Sequence, residues 1–492
     1  MTRSPRLATL CVGALLVAAA NAAEIPKPPQ VEASRIQNQV YQMRSGTLRV
    51  ADPDQPAAVA TKNRQMIKIV ADYLAYSIAQ PPYNGEPIPR EDKITPPNHT
   101  MADLMIRAES FANLPISAGN QGKVAQEQVE YAGEMGKAIA DAVKVVLENS
   151  TKPIERINAV RLLSIFARIP APALVEPLLV IVNNPRLSDA EKVYAFQGLR
   201  NLLDQSDLTF PDRHIPDLHR YPDKLAAIGQ ALTTYITARR TFRDDKDRQV
   251  IEFARRYAVE AMARFKDGVL RKPNKELIYR PSWTLARIME QDPSVAPPFT
   301  PIEQAEAAIG FCQMKVDPDM NLDVAAYSVA KVLVIFARAA NLDGERAKRD
   351  NTPVAHPWKG ISARFSYALA IWRGATKDLP AARNPGTAVN LANIGIALLA
   401  VIERDGAAAN TANEVQTIIT WATNNPPKAW AERRSAILYQ DDPQSVLPFP
   451  AASTLKTPDP KAATPDPKKG PDPKTDPKAA IDPKKGATPS KK

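Results

Sequence analysis

Cysteine is almost missing from this chain, which has only Cys11 and Cys312 among its 492 residues. Cys11 lies in a segment expected to be removed on export, so the remaining chain keeps one thiol and can close no internal disulfide. Cys312 follows Ala307, Ala308, Ile309, Gly310 and Phe311, an apolar setting that predicts a buried, inert thiol rather than a nucleophile. A chain of this length buries enough surface to fold without disulfides. Aromatic residues are also few, at 6%, while alanine is abundant, which fits closely packed helices and disfavours a sheet-rich fold. The glycine fingerprints of P-loop and dinucleotide sites are absent, as are Cys-x2-Cys pairs, a haem-attachment motif and a Gly-x-Ser-x-Gly elbow. No catalytic or cofactor-binding residue is therefore expected, and no cofactor.

Histidine is nearly as scarce as cysteine, with four in the chain. Asp212, His214, Asp217 and His219 are the one weak metal candidate, since they place two imidazoles and two carboxylates in a short loop. Their spacing matches no helical His-x3-His pair, and Pro216 argues against a helix there. Caps and turns are the expected use of these side chains. His99 and His356 stand beside prolines and read as isolated loop residues.

What is present begins with an export signal. Arg3 and Arg6 form a basic start, Leu7 to Ala20 carries no charge, and Ala20-Asn21-Ala22 is a small-x-small cleavage site. The predicted signal peptide is 1–22, which places the mature chain in the periplasm or cell envelope, or outside the cell. Its apolar run is too short for a comfortable transmembrane helix. The nearest later segment, Val389 to Ile402, is short and contains Asn390 and Asn393, so no spanning segment is expected after signal removal.

The net charge of +11 is unevenly spread. The signal holds two of these charges, and the stretch from Lys456 onward carries ten Lys against five Asp. The body is left weakly basic, without the dense basic stripe of a specific nucleic-acid binder. Residues 451–492 repeat Asp-Pro-Lys five times, with Ile481 the one large apolar residue after Leu455. Such a segment cannot offset its ordering entropy, so a disordered tail is expected, either a solubilising linker or a weak contact with an anionic polymer.

Between these ends the apolar spacing is helical. Residues 23–123 read as a small irregular N-terminal region, with short strands within 40–50, a helix over 61–79 and another over 101–111. Residues 124–270 hold regular helices: 124–147, divided at Gly133 and Gly136, then 153–169, 172–182, 188–203, 224–237 and 247–265. Ser188 and Glu191 form a capping box. Residues 271–450 continue with degenerate helices at 283–290, 302–314, 322–340, 361–375, 386–403 and 412–422.

Three of these helices share a pattern of a basic residue, alanine three positions on and a large apolar residue four further. They contain Arg156, Ala159 and Leu163; Lys192, Ala195 and Leu199; and Arg255, Ala258 and Met262. Upstream of the second copy, Pro177 is followed by Leu178 and Leu179. The pattern resembles HEAT repeats, most closely over 133–204 and onward to 267. The resemblance implies an all-α fold, an α-α superhelix or solenoid of stacked helix pairs, and scaffolding of unidentified protein partners. It carries no catalytic residues. The competing reading is an α/α-barrel enzyme acting on polysaccharide or wall material. Asp244-Asp245 or Asp441-Asp442 would then supply paired carboxylates, and Trp283, Trp358, Trp372, Trp421 and Trp430 would line a sugar groove. A third reading makes the basic tail the binding element.

Overall fold

The computed structural model describes residues 33–81, 83–86, 100–114, 126–169, 171–205, 218, 221–380, 383–427, 435–439, 441–442 and 444–448. All belong to one unit that ends at Phe449. The predicted signal peptide and the Lys/Pro tail lie outside the described residues. The described chain is mostly helical, as the all-α reading expected.

The N-terminal region differs from expectation. Residues 40–50 do not contain strands; Ala33–Ser45 is helix α1. Ile36, Val40 and Met43 fall on one face at helical spacing and are buried, so tertiary contact overrides the weak helix preference of the β-branched residues. Gly46, at φ 76°, ends the helix, and the Thr47 and Leu48 amides turn back to the Gln42 carbonyl. Helix α2, Ala57–Ile78, starts after Pro56 and buries Met66, Ile67, Val70, Leu74 and Ile78. Helix α3, Met101–Ala112, opens with a Thr100/Asp103 capping box. Helix α4, Gln126–Asn149, runs unbroken through both glycines at which a division was expected. Gly136 is there for close approach: a Cβ would lie 2.6 Å from the Ala171 side chain.

The next helices follow the expected order. They are α5 (Pro153–Phe166), α6 (Val175–Asn183), α7 (Asp189–Gln205), α8 (Pro222–Ile236) and α9 (Asp245–Met262). Proline opens α5 and α8 in the first turn, where the missing donor costs nothing. The Ser188 amide donates to Glu191 at 2.7 Å and the Glu191 amide to Ser188 at 3.4 Å, which is the capping box read from the sequence. A small antiparallel pair, β1 (Leu270–Arg271) and β2 (Leu277–Tyr279), separates α9 from α10 (Pro281–Met289). Then come α11 (Pro301–Gln313), α12 (Leu322–Asp350), α13 (Trp358–Lys377), α14 (Pro385–Asp405) and α15 (Ala412–Asn424). Helix α12 continues ten residues past its expected end. Asn341-Leu342-Asp343-Gly344 looks like a turn in sequence, yet Gly344 sits inside the helix because the Ala407 carbonyl passes there; a Cβ would meet that oxygen at 2.0 Å.

Helices two apart in sequence are neighbours. From α5 onward, α5 packs on α7, α7 on α9, α9 on α11 and α11 on α13. On the other side α6 packs on α8, α8 on the β1–β2 pair, α10 on α12, and α12 on α14 and α15. The three helices that share the basic-Ala-apolar pattern are α5, α7 and α9, consecutive members of the first row. Ala159, Ala195 and Ala258 are fully buried, as are Leu163, Leu199 and Met262. Small side chains thus stand where helices approach, and large ones fill the layer between them.

The end of the unit is pinned back onto the body. A second pair, β3 (Ser435–Ile437) and β4 (Val446–Pro448), leads into Leu438, whose carbonyl accepts from the Asn321 amide at 2.8 Å. The Arg280 guanidinium lies over the Tyr439 ring and donates to Asp442 at 2.6 Å and to Asp441 at 2.5 Å.

Helix α14 with the turn after it, Pro385–Ala408, is long and apolar enough to cross a membrane by length and composition. The expectation of no spanning segment rests on its central stretch alone, Val389 to Ile402. Leu391, Leu398, Leu399 and Ile402 are buried by the protein itself, and α14 packs against α12, α13 and α15.

Candidate binding groove

Helix α9 carries two apolar faces. Ile251, Ala254, Ala258, Val259 and Met262 face the core. Val250, Phe253 and Tyr257 recur at helical spacing on another side, where Phe253 is 55% exposed and Val250 is exposed too. Phe253 meets Tyr257 edge-on with ring centres 5.1 Å apart. A core helix gains nothing in stability from large side chains left in water, so this second stripe is where a partner surface is sought.

Two hollows flank the stripe and share Gln249 and Phe253. The first, of about 650 Å³, lies against α7, with Val193, Tyr194 and Gln197 on one side and Val250, Ala254 and Tyr257 on the other. The second, of about 470 Å³, is bounded by the first turn of α11 at Pro301 and Ile302. The distal part of α12 adds Ala339, Leu342, Asp343 and Arg346, and the segment entering α13 adds His356 and Trp358. Leu342 is 65% exposed. The extra turns of α12 therefore build one wall of this hollow. Together the hollows make an apolar groove across α7, α9 and α11.

Polar groups on the second hollow have definite partners. Trp358 Nε1 donates to Asp343 Oδ2 at 2.7 Å, and the Ala355 amide donates to the same oxygen at 2.9 Å. His356 lies edge-on to Trp358, with ring centres 5.5 Å apart. Burial lowers its pKa, and the nearby Asp343 charge only partly opposes that, so the ring is neutral at pH 7. Burial likewise raises the Glu252 pKa above the ordinary glutamate range; Arg248, 3.6 Å away, does not fully compensate.

Ion pairs hold the rows beneath the groove. Arg156 on α5 reaches Glu191 on α7 at 2.7 Å, and Arg200 on α7 reaches Glu260 on α9 at 3.0 Å. Arg256 on α9 binds Glu260 at 3.0 Å and lies 4.0 Å from Glu306 on α11, which Arg364 on α13 reaches at 2.5 Å. Burial would raise the Glu191 pKa, but the bonds from Ser188 and Arg156 outweigh it and hold the carboxyl below its usual range. Deeper still, Arg255 forms a bidentate pair with Glu303, at 2.6 and 2.9 Å, with both side chains almost fully buried.

The basic residues of the repeated pattern thus have three different uses. Arg156 links neighbouring helices, Arg255 ties α9 to the loop and cap of α11, and the Lys192 ammonium sits over the Tyr235 ring. The candidate metal residues Asp212, His214, Asp217 and His219 lie outside the described residues. Among the described residues, no group of three or more His, Cys, Asp or Glu is placed to hold a metal ion. The carboxylate pairs named for an α/α-barrel enzyme have structural partners: Asp244 caps α9 at 2.8 Å, and Asp441 and Asp442 bind Arg280. Trp358 and Trp372 are buried, and Trp430 is outside the described residues. Cys312 is fully buried, and burial pushes its thiol pKa far up.

The groove was missed in sequence because its residues come from six separated segments, from α5 to the start of α13. His356, read there as isolated, is part of its wall. One signal was available: Val250, Phe253 and Tyr257 form an apolar stripe on α9 that the core face does not need. Compared with family models, curated proteins and solved structures, the chain matches none.

Proposed function

We propose that this chain is a non-catalytic exported scaffold that binds a partner protein along the α7–α9–α11 groove. The two rows of helices support a reading as a HEAT-like α-α superhelix, an architecture that offers long surfaces to other chains. The groove carries the reading: Val250, Phe253 and Leu342 are large apolar side chains left exposed on a face whose helices are cross-linked by ion pairs. A surface held in place by its own scaffold loses little entropy on binding. The export signal read at residues 1–22 puts the partner in the cell envelope or outside the cell.

Photo-crosslinking tests this. A benzoylphenylalanine replaces Phe253 in one sample, Leu342 in a second and the exposed Tyr367 of α13 in a third, in envelope extracts of the source organism. The same protein captured from Phe253 and Leu342, and not from Tyr367, is the expected result. Capture that does not distinguish the groove from Tyr367, or no capture from either groove position, refutes the proposal.

A further inference from the structure

Helices α10, α11 and α12 pack on one another and share a polar cluster in their common core. Glu290, Gln304 and Ser328 are each no more than 3% exposed, and Lys331 is buried with them. The Lys331 ammonium donates to Glu290 Oε2 at 2.9 Å, and Gln304 Nε2 donates to the Met289 carbonyl at 2.9 Å. Met289 and Glu290 are consecutive, so α11 and α12 both reach the same end of α10. Ser328 stands three residues before Lys331, on the same side of α12. Burial, and after it the Glu290 charge, raise the pKa of the adjacent Tyr327 to about 12, which sets this turn of α12 beside the carboxylate.

Three oxygens of this cluster bond to no protein group: Glu290 Oε1, Gln304 Oε1 and Ser328 Oγ. A buried oxygen without a partner is costly, and native cores rarely tolerate one. Three at one helix junction point to a ligand that satisfies them together. The Gln304 amide cannot turn round, because the Met289 carbonyl only accepts and holds Nε2 toward itself. Glu290 Oε1 and Gln304 Oε1 can only accept, whereas the Ser328 hydroxyl can donate. Lys331 already balances the Glu290 charge, so a metal cation would bring an uncompensated positive charge into the core.

We infer that α10, α11 and α12 hold one buried water molecule between Glu290, Gln304 and Ser328. The water gives one hydrogen to Glu290 Oε1 and the other to Gln304 Oε1, and it accepts the hydrogen of the Ser328 hydroxyl. That makes about three bonds, the ordinary number for a water inside a protein. Every free oxygen of the cluster is then satisfied. A sodium or potassium ion would supply no hydrogen to the two acceptors and would leave the Ser328 hydrogen without a place. The water is a structural ligand, joining three helices through side chains whose free oxygens do not bond to one another. Helix α12, whose later turns wall the groove, is held to α10 and α11 through it.

A crystal structure of the full chain grown with rubidium chloride, with data collected at the rubidium absorption edge, tests this directly. The expected result is a water peak about 2.5–3.0 Å from all three oxygens, with no anomalous signal. Oxygen-17 relaxation dispersion of the solvent, which counts long-lived internal waters, gives a second measurement. The Gln304→Leu/Ser328→Ala variant, its fold checked by circular dichroism, should lose one such water relative to the parent chain. An anomalous peak at the site makes the ligand a cation and overturns the inference. So does a structure in which the three oxygens bond directly to protein groups, a water within reach of fewer than three of them, or an unchanged water count in the variant. If the variant does not fold, the density at the three oxygens decides alone.

Discussion

Replacing Glu303 with alanine should be far more damaging than replacing its partner Arg255 with methionine. Arg255 is 2% exposed and donates to four oxygens: Glu303 at 2.6 and 2.9 Å, the Pro297 carbonyl at 2.5 Å and the Pro298 carbonyl at 2.9 Å. Without Glu303 the guanidinium keeps two carbonyls but loses its hydrogen-bonded counter-charge. Arginine cannot shed its proton, so the cost of an uncompensated buried charge applies, about 3–5 kcal/mol. Glu303 also accepts from the Thr300 amide at 2.7 Å in the α11 capping box, and losing that contact adds about 1 kcal/mol. The total, about 4–6 kcal/mol, is a large part of a typical stability of about 5–15 kcal/mol. In Arg255→Met the remaining carboxylate keeps the Thr300 amide and the α11 cap. That variant should lose about half as much, and Arg255→Met/Glu303→Gln less than about 2 kcal/mol, because apolar replacement of both partners removes the charge. Urea titration followed by circular dichroism at 222 nm reads the order of midpoints. A Glu303→Ala loss under about 1 kcal/mol, or a greater loss in Arg255→Met, would refute the reasoning.

Gly310→Ala should destabilise by at least about 1–3 kcal/mol, since a Cβ there would lie 2.4 Å from the Ala263 backbone, whereas Gly133→Ala, with nothing within 4 Å, should stabilise by about 0.5–1 kcal/mol; thermal melts of the two variants check both signs. Glu252 has its pKa raised in the folded chain, so its protonated form contributes stability that is present below the ordinary value of 4.5 and lost as pH rises through the folded value. Arg248 and Arg255 oppose that shift, while Glu303 and Asp245 reinforce it. The Glu252→Gln variant should therefore lose less stability than the parent as pH rises above 4.5, read as urea midpoints at a series of pH values. Cys312 should not react with a soluble disulfide reagent such as DTNB in the native chain and should react at once in urea; native labelling within minutes would contradict its burial.

Helix existence was legible wherever apolar spacing was long, as in α2, α7 and α9, because burial on one face imposes the 3.6-residue period. The failures share a cause. At Gly133 and Gly136 glycine suggests a division, and the helix expected over 322–340 stops short of Gly344, yet α4 and α12 run straight through these positions, and at Gly136 and Gly344 another segment of the chain passes close by. At residues 40–50 apolar residues mixed with Gly46 suggest short strands, but the face formed by Ile36, Val40 and Met43 decides for helix. The groove was legible only in part. Its stripe on α9 follows from periodicity, while Asp343 and Trp358 come from segments that meet it through packing between layers.

The ion pairs along the first row also set how the array could grow. Arg156 on α5, Arg200 on α7 and Arg256 on α9 each lie toward a glutamate of the next helix in the row. At α11 the direction reverses: Glu306 receives Arg256 from one side and Arg364 from the other. An α7-type helix inserted directly after α11 would turn the carboxylate it shows its predecessor, Glu191 in α7, toward Glu306 and set carboxylate against carboxylate. Duplication could lengthen the row before α11 at little electrostatic cost, but a helix placed directly after α11 would need a cation in place of that glutamate.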